Sequence, residues 1–404
     1  MPLVVDLTHF LHARSGGVRT YLRYKGRHLE AAGWRHAIIA PGSRDGIRRL
    51  ERSLLVTLWS PVVPGAAPYR VLVRTRAVLA LLRRLRPSVI ELGSPYLLPS
   101  VATAAGHQLG APVVGFYHAH VPQAHLEPLI GMLGLARGGT VDRAASEAAW
   151  HYLRRVYRPL DRLAAPSAAM ATELSRHGAV PPAGCTVIPL GVDTEDFHPR
   201  HRSAEWRAAH LVAGAPANGA GRVVVLYVGR LSPEKGAARL VELAAELERA
   251  QPGRFVVWIV GDGPLRAQLQ RAAPPNVGFL GHLEGPALRT AYASADLFVT
   301  ASESETFGLA PLEAQASGLP VVAPASGALP EVVDPRSGRL VPSAAPAALA
   351  AAVTALARQP SELAARGRSA RAFVEGRFSW ERTFRRLMAL YADVLAARRR
   401  PALR

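Results

Sequence analysis

The stretch richest in chemistry-bearing side chains is Ser302-Glu303-Ser304-Glu305-Thr306-Phe307-Gly308-Leu309-Ala310-Pro311-Leu312-Glu313. An apolar run, Leu297-Phe298-Val299-Thr300, leads straight into it, and another begins near Leu319. The pattern predicts a strand, a tight turn at Gly308, a short helix and a second strand. The tip of the first strand then brings together carboxylates, a bent backbone and a helix N-terminus. Carboxylates accept hydrogen bonds from sugar hydroxyls. Backbone N–H groups at a helix start, with the helix dipole, favour a phosphate. The combination suits a polyol next to an anion, and a nucleotide-sugar site is the working expectation. Glu305 and Glu313 stand eight residues apart, one in the turn and one within the helix. The plainer alternative is a carboxylate at a helix approach and a surface glutamate.

Cations that could neutralise a diphosphate are predicted at Gly229-Arg230-Leu231-Ser232-Pro233-Glu234-Lys235-Gly236. This segment follows the apolar strand Arg222 to Val228, so Arg230 and Lys235 flank a turn at a strand end. Without a ligand they would be an exposed pair. Lys25 and Lys235 are the only lysines in a chain that otherwise uses arginine. A lysine at 235 hints that a compact, flexible ammonium is wanted there. No Asp-x-Asp metal motif stands out; Asp193-Thr194-Glu195-Asp196 reads as surface loop. Gly16-Gly17, between a first strand and a first helix, would let a ligand approach the backbone, although a glycine pair is more often only a turn. His118 and His120 alternate on an extended segment and so face opposite ways; joint chelation of one metal is not expected, and a structural role for either stays open.

These residues need a scaffold. Leu3 to Leu7, His36 to Ala40, Ser88 to Leu92 and Val113 to Tyr117 read as strands, Arg162 to Ser167 reads as another strand end before a helix, and helical runs lie between some of them. The second half alternates strand and helix plainly, with strands also at Phe255 to Val260 and Val277 to Leu280. Such alternation predicts α/β architecture with parallel sheets, where ligands lie beyond the carboxyl ends of strands. At 404 residues the chain exceeds one ordinary core, so two domains are expected: residues 1–197, a linker over 198–221, and residues 222–378. A cleft between two such domains is implied. A helix over 379–404, with Phe384, Leu387, Met388, Tyr391 and Leu395 on one stripe, should pack back on the first domain, and its Arg398-Arg399-Arg400-Pro401 tail should fray. Leu340 to Ala357 reads as loop plus an Ala-rich surface helix.

A single cysteine, Cys185, excludes an internal disulfide framework and points to a reducing, cytoplasmic compartment. The N-terminus reads as a strand and not a signal peptide, and no stretch reads as a membrane span. The formal net charge is +19. Abundant Arg and Ala suggest a GC-rich bacterial genome. The charge has a bland reading, a solvated basic surface, and a sharper one, attraction to an anionic membrane. Nucleic acid is not expected, because no zinc spacing, aromatic RNA-binding motif or Gly-rich basic tail accompanies the charge. The run Val71 to Leu85, with Arg74, Arg76, Arg83 and Arg84, is either an ordinary surface helix with arginine stems over apolar neighbours or a basic helix on lipid headgroups.

Taken in order, Ser15-Gly16-Gly17-Val18, Tyr117-His118-Ala119-His120-Val121-Pro122, Gly191-Val192-Asp193-Thr194-Glu195-Asp196-Phe197, Gly229 to Gly236, Gly261-Asp262-Gly263-Pro264 and the Glu305 to Glu313 span resemble retaining glycosyltransferases of family 4 with the two-domain GT-B fold. The resemblance covers most of the chain. It implies that Arg230 and Lys235 bind the donor diphosphate. Glu305 and the backbone of Phe307, Gly308 and Leu309 would hold the donor sugar and phosphate, and Glu313 the ribose hydroxyls. Gly16 and Gly17 would meet the diphosphate and acceptor, and His118 would stand beside the reacting sugar. The base is expected near Leu280 to Leu283. No metal and no cofactor besides the nucleotide-sugar donor, GDP- or UDP-linked, are implied. The Phe-Tyr-His-Ala-His-Val-Pro segment and the run through Ser302 to Gly308 are most similar to enzymes that glycosylate membrane lipids, including sulfoquinovosyl- and mannosyltransferases. A soluble or exopolysaccharide acceptor, a sugar-nucleotide epimerase and a non-catalytic basic binding protein are the competing expectations.

Overall fold

The computed structural model describes residues 1–12, 16–63, 69–120, 140–211 and 221–399. They form two α/β units. One contains Met1–Leu190 together with the C-terminal helix from Trp380; the other is Gly191–Ser379.

The first unit runs β1 (Leu3–Leu7), α1 (Gly17–Ala31), β2 (Arg35–Gly42), β3 (Gly46–Leu50), β4 (Ser53–Trp59), α2 (Thr75–Leu85), β5 (Val89–Leu92), α3 (Leu98–Leu109), β6 (Val113–Phe116), α4 (Thr140–Tyr157), β7 (Arg162–Ala165), α5 (Ala168–Arg176) and β8 (Cys185–Val187). The sheet order is β3-β4-β2-β1-β5-β6-β7-β8. Every pairing is parallel except the β3–β4 hairpin. Strands β1, β5 and β6 are buried along their whole length, which explains their nearly unbroken apolar runs. The hairpin at 46–59 has no counterpart in the expected strands. Its outer strand reads Gly-Ile-Arg-Arg-Leu, too polar to be recognised as a strand. The helix expected over Val71 to Leu85 begins only at Thr75.

Two carboxylates interrupt the buried strands. Asp6 on β1 and Glu91 on β5 are direct partners in the parallel register, and both are almost wholly buried. Like charges so placed repel. Lys25 from α1 resolves the conflict: its Nζ lies 2.8 Å from Asp6 and 2.9 Å from Glu91. The Tyr21 hydroxyl donates to Glu91 at 2.9 Å, the Tyr391 hydroxyl donates to its other oxygen, and His36 pairs with Asp6. Burial opposes the charge on Asp6, but Lys25 and His36 outweigh it and hold the carboxyl well below its ordinary range. Burial lifts Glu91 to about 7, with Asp6 pushing the same way and Lys25 opposing.

Tyr391 belongs to the last helix, so the network also fastens the chain's end to the first sheet. Phe384, Leu387, Leu390, Tyr391 and Val394 of that helix are buried, and Thr383 donates to the Pro189 carbonyl at 2.8 Å. Arg398 is still helical and pairs with Asp161 at 3.1 Å, so fraying does not begin there; residues 400–404 lie outside the described residues.

The second unit contains α6 (Ala204–Ala209), β9 (Val223–Val228), α7 (Ala237–Ala250), β10 (Phe255–Val260), α8 (Arg266–Ala272), β11 (Val277–Gly281), α9 (Gly285–Ser294), β12 (Leu297–Val299), α10 (Leu309–Ala316), β13 (Val321–Pro324), α11 (Leu329–Val332), β14 (Arg339–Val341), α12 (Pro346–Leu356) and α13 (Pro360–Arg377); α14 (Trp380–Arg399) is the helix returned to the first unit. The sheet is parallel throughout, in the order β11-β10-β9-β12-β13-β14. The order reverses between β9 and β12, and ligands of open α/β sheets bind beyond the carboxyl ends at such a reversal.

Three expectations need correction. The boundary lies at Leu190/Gly191, not after residue 197. Val192 donates to the Phe378 carbonyl, Arg371 donates to the carbonyls of Thr194 and Phe197, and Phe197 packs edge-on against Tyr292, so residues 191–197 belong to the second unit. Nor is 198–211 a free linker. Arg207 and Arg202 both pair with Asp296, and Ser203 caps α6; residues 212–220 lie outside the described residues. Finally, α12 is a core element, because Leu349, Ala350, Ala352, Val353 and Leu356 are buried. Its alanines mark close packing on α7, where small side chains let the helices approach.

Replacing Lys25 by Ala leaves two carboxylates facing each other in the core. Removing one partner of a buried ion pair costs about 3–5 kcal/mol. Calorimetric unfolding of Lys25→Ala should show that loss in the first unit's transition, and Lys25→Ala/Glu91→Gln should recover part of it.

Candidate functional site

The turns that follow β9 and β12 are laced together. After β9 the chain forms a short 3₁₀ turn at Pro233–Lys235 and reverses through Gly236, whose φ is +64°. A Cβ at Gly236 would stand 2.3 Å from the Ala301 carbonyl oxygen, so only glycine lets the two strand ends approach this closely. From the other side, Ser302 and Ser304 both donate to the Glu234 carbonyl, at 3.4 and 3.2 Å. The alternating glutamates reach cations of that turn and of the helix after it. Glu303 accepts from Arg239 at 2.7 Å, and Glu305 accepts from Lys235 at 2.8 Å. The Ser-Glu-Ser-Glu sequence is thus a zipper: serines hold backbone, glutamates hold cations.

The Glu305 main chain is fixed as well. Its carbonyl accepts the Ala328 N–H at 3.0 Å. The chain then passes the buried Phe307, packed edge-on against Phe378, and turns at Gly308 (φ +99°) to start α10 with no side-chain cap. Backbone N–H groups at the start of α10 therefore stand just beyond the Lys235–Glu305 pair in sequence, as an anion site requires. Lys235 and Glu305 are 34% and 15% exposed, so the pair is open enough for a ligand to reach. Arg230 is partly exposed at the same strand end, and its carbonyl accepts the Tyr227 hydroxyl at 3.1 Å.

Glu313 lies within α10. Its Oε2 accepts the hydroxyl of the buried Tyr292 at 2.8 Å. Burial outweighs that hydrogen bond and lifts the carboxyl to about 7, so it titrates near neutrality. A carboxylate held this way is a strong acceptor for a diol once ionised.

The remaining expected residues belong to the first unit. Gly16 precedes α1 with φ −80°, and a Cβ there would meet no atom within 4 Å; nothing in the chain's own geometry or packing demands a glycine. Gly17 opens the helix. Ser15, Val121 and Pro122 lie outside the described residues. His118, at the carboxyl end of β6, stacks on Phe116 at 4.5 Å and meets the Tyr21 ring edge-on at 4.8 Å. Burial pushes it down to about 3, leaving a neutral imidazole. His120 faces other neighbours, pairing with Glu173 at 3.1 Å and packing on Tyr117 and Trp150. The segment 280–283 closes β11, and Gly281 there accepts the Gly261 N–H at 2.7 Å. Among the described residues, no group of three His, Cys, Asp or Glu could hold a metal.

Sequence reasoning missed Tyr292 as the partner of Glu313, Arg239 as the partner of Glu303, and Tyr21 as the neighbour of His118. One signal was present for the Lys25 network: Lys25, like Lys235, is a lysine in a chain that otherwise uses arginine.

Because the folded pKa of Glu313 lies above the ordinary value of 4.5, its favourable contribution is complete below that value and is lost as pH rises through about 7. Melting curves of wild type and Glu313→Gln should therefore diverge, the wild type losing stability relative to the variant between pH 5 and 8.

Residues 15–196 match Glycosyltransferase Family 4, and residues 222–359 match Glycosyl transferases group 1. A GDP-mannose-dependent alpha-mannosyltransferase of Corynebacterium glutamicum is 34% identical over 334 residues, 81% of this chain and 73% of that protein. A GDP-mannose-dependent alpha-(1-6)-phosphatidylinositol dimannoside mannosyltransferase of Mycobacterium tuberculosis is 32% identical over 390 residues, 96% of this chain and 95% of that one. Among solved structures, sucrose-phosphate synthase from Thermosynechococcus elongatus superposes with a TM-score of 0.75 at 23% identity, over 98% of this chain and all of that one, a likeness of fold alone. The turn zipper at the sheet reversal, the two α/β units and these matches together place the chain in glycosyltransferase family 4, with the GT-B fold.

Proposed function

We propose that this glycosyltransferase moves a hexosyl group, mannose from GDP-mannose being the first donor to test, onto a hydroxyl of a membrane lipid or lipid-linked acceptor, with retention of anomeric configuration. The observation that carries the proposal is the Lys235–Glu305 pair at the sheet reversal, 2.8 Å apart and reachable by a ligand. The names of the relatives support the donor and the lipid acceptor.

In this reading the donor diphosphate is neutralised by Arg230, Lys235 and the N–H groups of Gly308 and Leu309. Preorganised donors aimed at the departing charge lower the barrier without rearranging during the reaction. Lys235 exchanges a carboxylate for a phosphate oxygen, which frees Glu305 to accept from a sugar hydroxyl. Phe307 holds the turn by its buried ring. Glu313, braced by Tyr292, takes the ribose hydroxyls. His118, a neutral imidazole, and Gly16 and Gly17, all of the first unit, keep in this reading the roles that the family resemblance assigns them. The acceptor hydroxyl attacks the anomeric carbon on the face the diphosphate leaves, and a departing phosphate oxygen takes its proton. Arg230 and Lys235 perform the neutralisation that a divalent metal performs in other transferases.

Two measurements test the proposal. Thermal melting with GDP, UDP and ADP should show stabilisation by GDP above the others, growing with concentration by mass action; equal shifts or none would remove the donor assignment. With GDP-mannose and a phosphatidylinositol-type acceptor, Lys235→Ala and Glu305→Gln should each lose about 100–1,000-fold in transfer, the range for deleting one preorganised electrostatic contact, with unchanged circular dichroism. Wild-type turnover in both would sink the site.

A further inference from the structure

An imidazole that meets a reacting sugar must present one ring nitrogen in one direction. Rotation about its Cβ–Cγ bond is broad and roughly two-fold, so neighbours have to impose that direction. Around His118 they are identifiable. The His118 N–H donates to the Phe116 carbonyl at 3.1 Å, and the imidazole lies nearly parallel to the Phe116 ring, with centroids 4.5 Å apart. Gly93, just after β5, also stands against it: a Cβ there would lie 3.5 Å from His118 Cδ2, in ordinary contact. The remaining ring is Tyr21 of α1. It meets the imidazole edge-on at 4.8 Å and the Phe116 ring at 5.0 Å.

Ring contacts alone let side chains slide, but Tyr21 is held from behind. It is wholly buried, and its hydroxyl donates to Glu91 at 2.9 Å. Lys25, one turn further along α1, pairs with the same carboxylate at 2.9 Å and sets its Nζ 5.4 Å from the Tyr21 ring centroid. Phe384 of α14 packs on the ring at 5.6 Å. Burial and the Glu91 carboxylate keep the Tyr21 hydroxyl protonated far above its ordinary range. A hydroxyl so committed supplies no proton to a substrate. What Tyr21 supplies is a rigid wall.

We propose that Tyr21 is a positioning residue for glycosyl transfer: anchored by Glu91 and Lys25, it holds the His118 imidazole in the orientation that meets the sugar. The inference rests on the reading of His118 as a neighbour of the reacting sugar. Two features separate Tyr21 from an ordinary core aromatic. Apolar residues at 25 and 91 with phenylalanine at 21 would fill the same space, and such replacements of buried ion pairs are often neutral or stabilising. A directional hydrogen bond at the far end of the ring fixes what apolar packing leaves loose. The network also spans β1 and β5, the strands between which the order of the first sheet reverses, and ligands of open α/β sheets bind beyond the carboxyl ends at a reversal.

The test uses the full chain, with Tyr21→Phe, which keeps the ring and removes its anchor, and Tyr21→Leu, which removes both. Each is made with His118 present and in His118→Ala, and transfer from GDP-mannose to a phosphatidylinositol-type acceptor is measured. With His118 present, kcat should fall about tenfold for Tyr21→Phe and about 100-fold for Tyr21→Leu, the latter being the effect of a misplacement of about 1 Å. The KM for GDP-mannose should not change. In His118→Ala neither substitution should lower kcat further, because no ring is left to place; a double-mutant cycle isolates this coupling. Equal losses in both backgrounds would mean that Tyr21 acts through the fold alone, and would rule the proposal out. Tyr21→Phe preserves the ring's volume and carries the test should Tyr21→Leu not fold. A second readout needs no transfer: in histidine-labelled protein, with the His118 resonances identified by their loss in His118→Ala, Tyr21→Phe should broaden or split them. A single, unchanged set of resonances would overturn the proposal. Failure of wild type to transfer mannose would remove the donor and acceptor reading, and the resonances would still decide the role of Tyr21.

Discussion

The candidate site of the second unit is organised around one ion pair at one place. Lys235 and Glu305 stand at the ends of β9 and β12, the two neighbouring strands between which sheet order reverses. Parallel strands diverge into separate loops at their carboxyl ends, and nothing in the sheet itself holds those loops together. Here Gly236 removes the Cβ that would keep them apart, and the serines at 302 and 304 fix the gap. The pair then spans it at 2.8 Å. Both partners remain partly exposed, so the attraction is weakened by water and adds little stability. Its use is placement: it parks a cation and a hydroxyl acceptor where a phosphate and a sugar can replace each partner's present contact.

The first unit solves a related problem in the opposite medium. Its lysine is wholly buried, between two carboxylates in register on adjacent strands and beneath two tyrosines. In that setting charge must be satisfied completely, because an uncompensated ion in the core is far more costly than a missing surface pair. One of those tyrosines, Tyr21, lies against His118, so the network that ties the C-terminal helix to the sheet also fixes one wall around the candidate histidine.

Much of this was legible in the residues. Continuous apolar runs mark strands buried on both faces, and the spacing of β and α segments gave the α/β class and the position of the turns. Arg230, Lys235 and Glu305 could be singled out as candidates because they are charged residues in the turns that follow such runs. What escaped were features without a local pattern. The β3–β4 hairpin was hidden because an exposed edge strand needs no apolar alternation. The helix at 346–356 looked like surface because alanine is ambiguous between solvent and close packing. The domain boundary was misplaced by seven residues because Gly191 to Phe197 owe their allegiance to Arg371, Tyr292 and Phe378, all distant in sequence.

By itself the sequence determined the kinds of groups available and their order along the chain: cations after β9, carboxylates after β12, glycines where the backbone must turn. Periodicity and residue chemistry act over a few positions, and that is as far as they reach. Only the tertiary structure decided pairings: that Lys235 meets Glu305 across 70 residues, that Tyr292 braces Glu313, that Lys25 lies between Asp6 and Glu91, and that Tyr391 comes back to Glu91 across 300 residues. Such contacts follow from strand order and register, which are set by how whole faces pack, and packing is a property of the assembled sheet and not of any one segment.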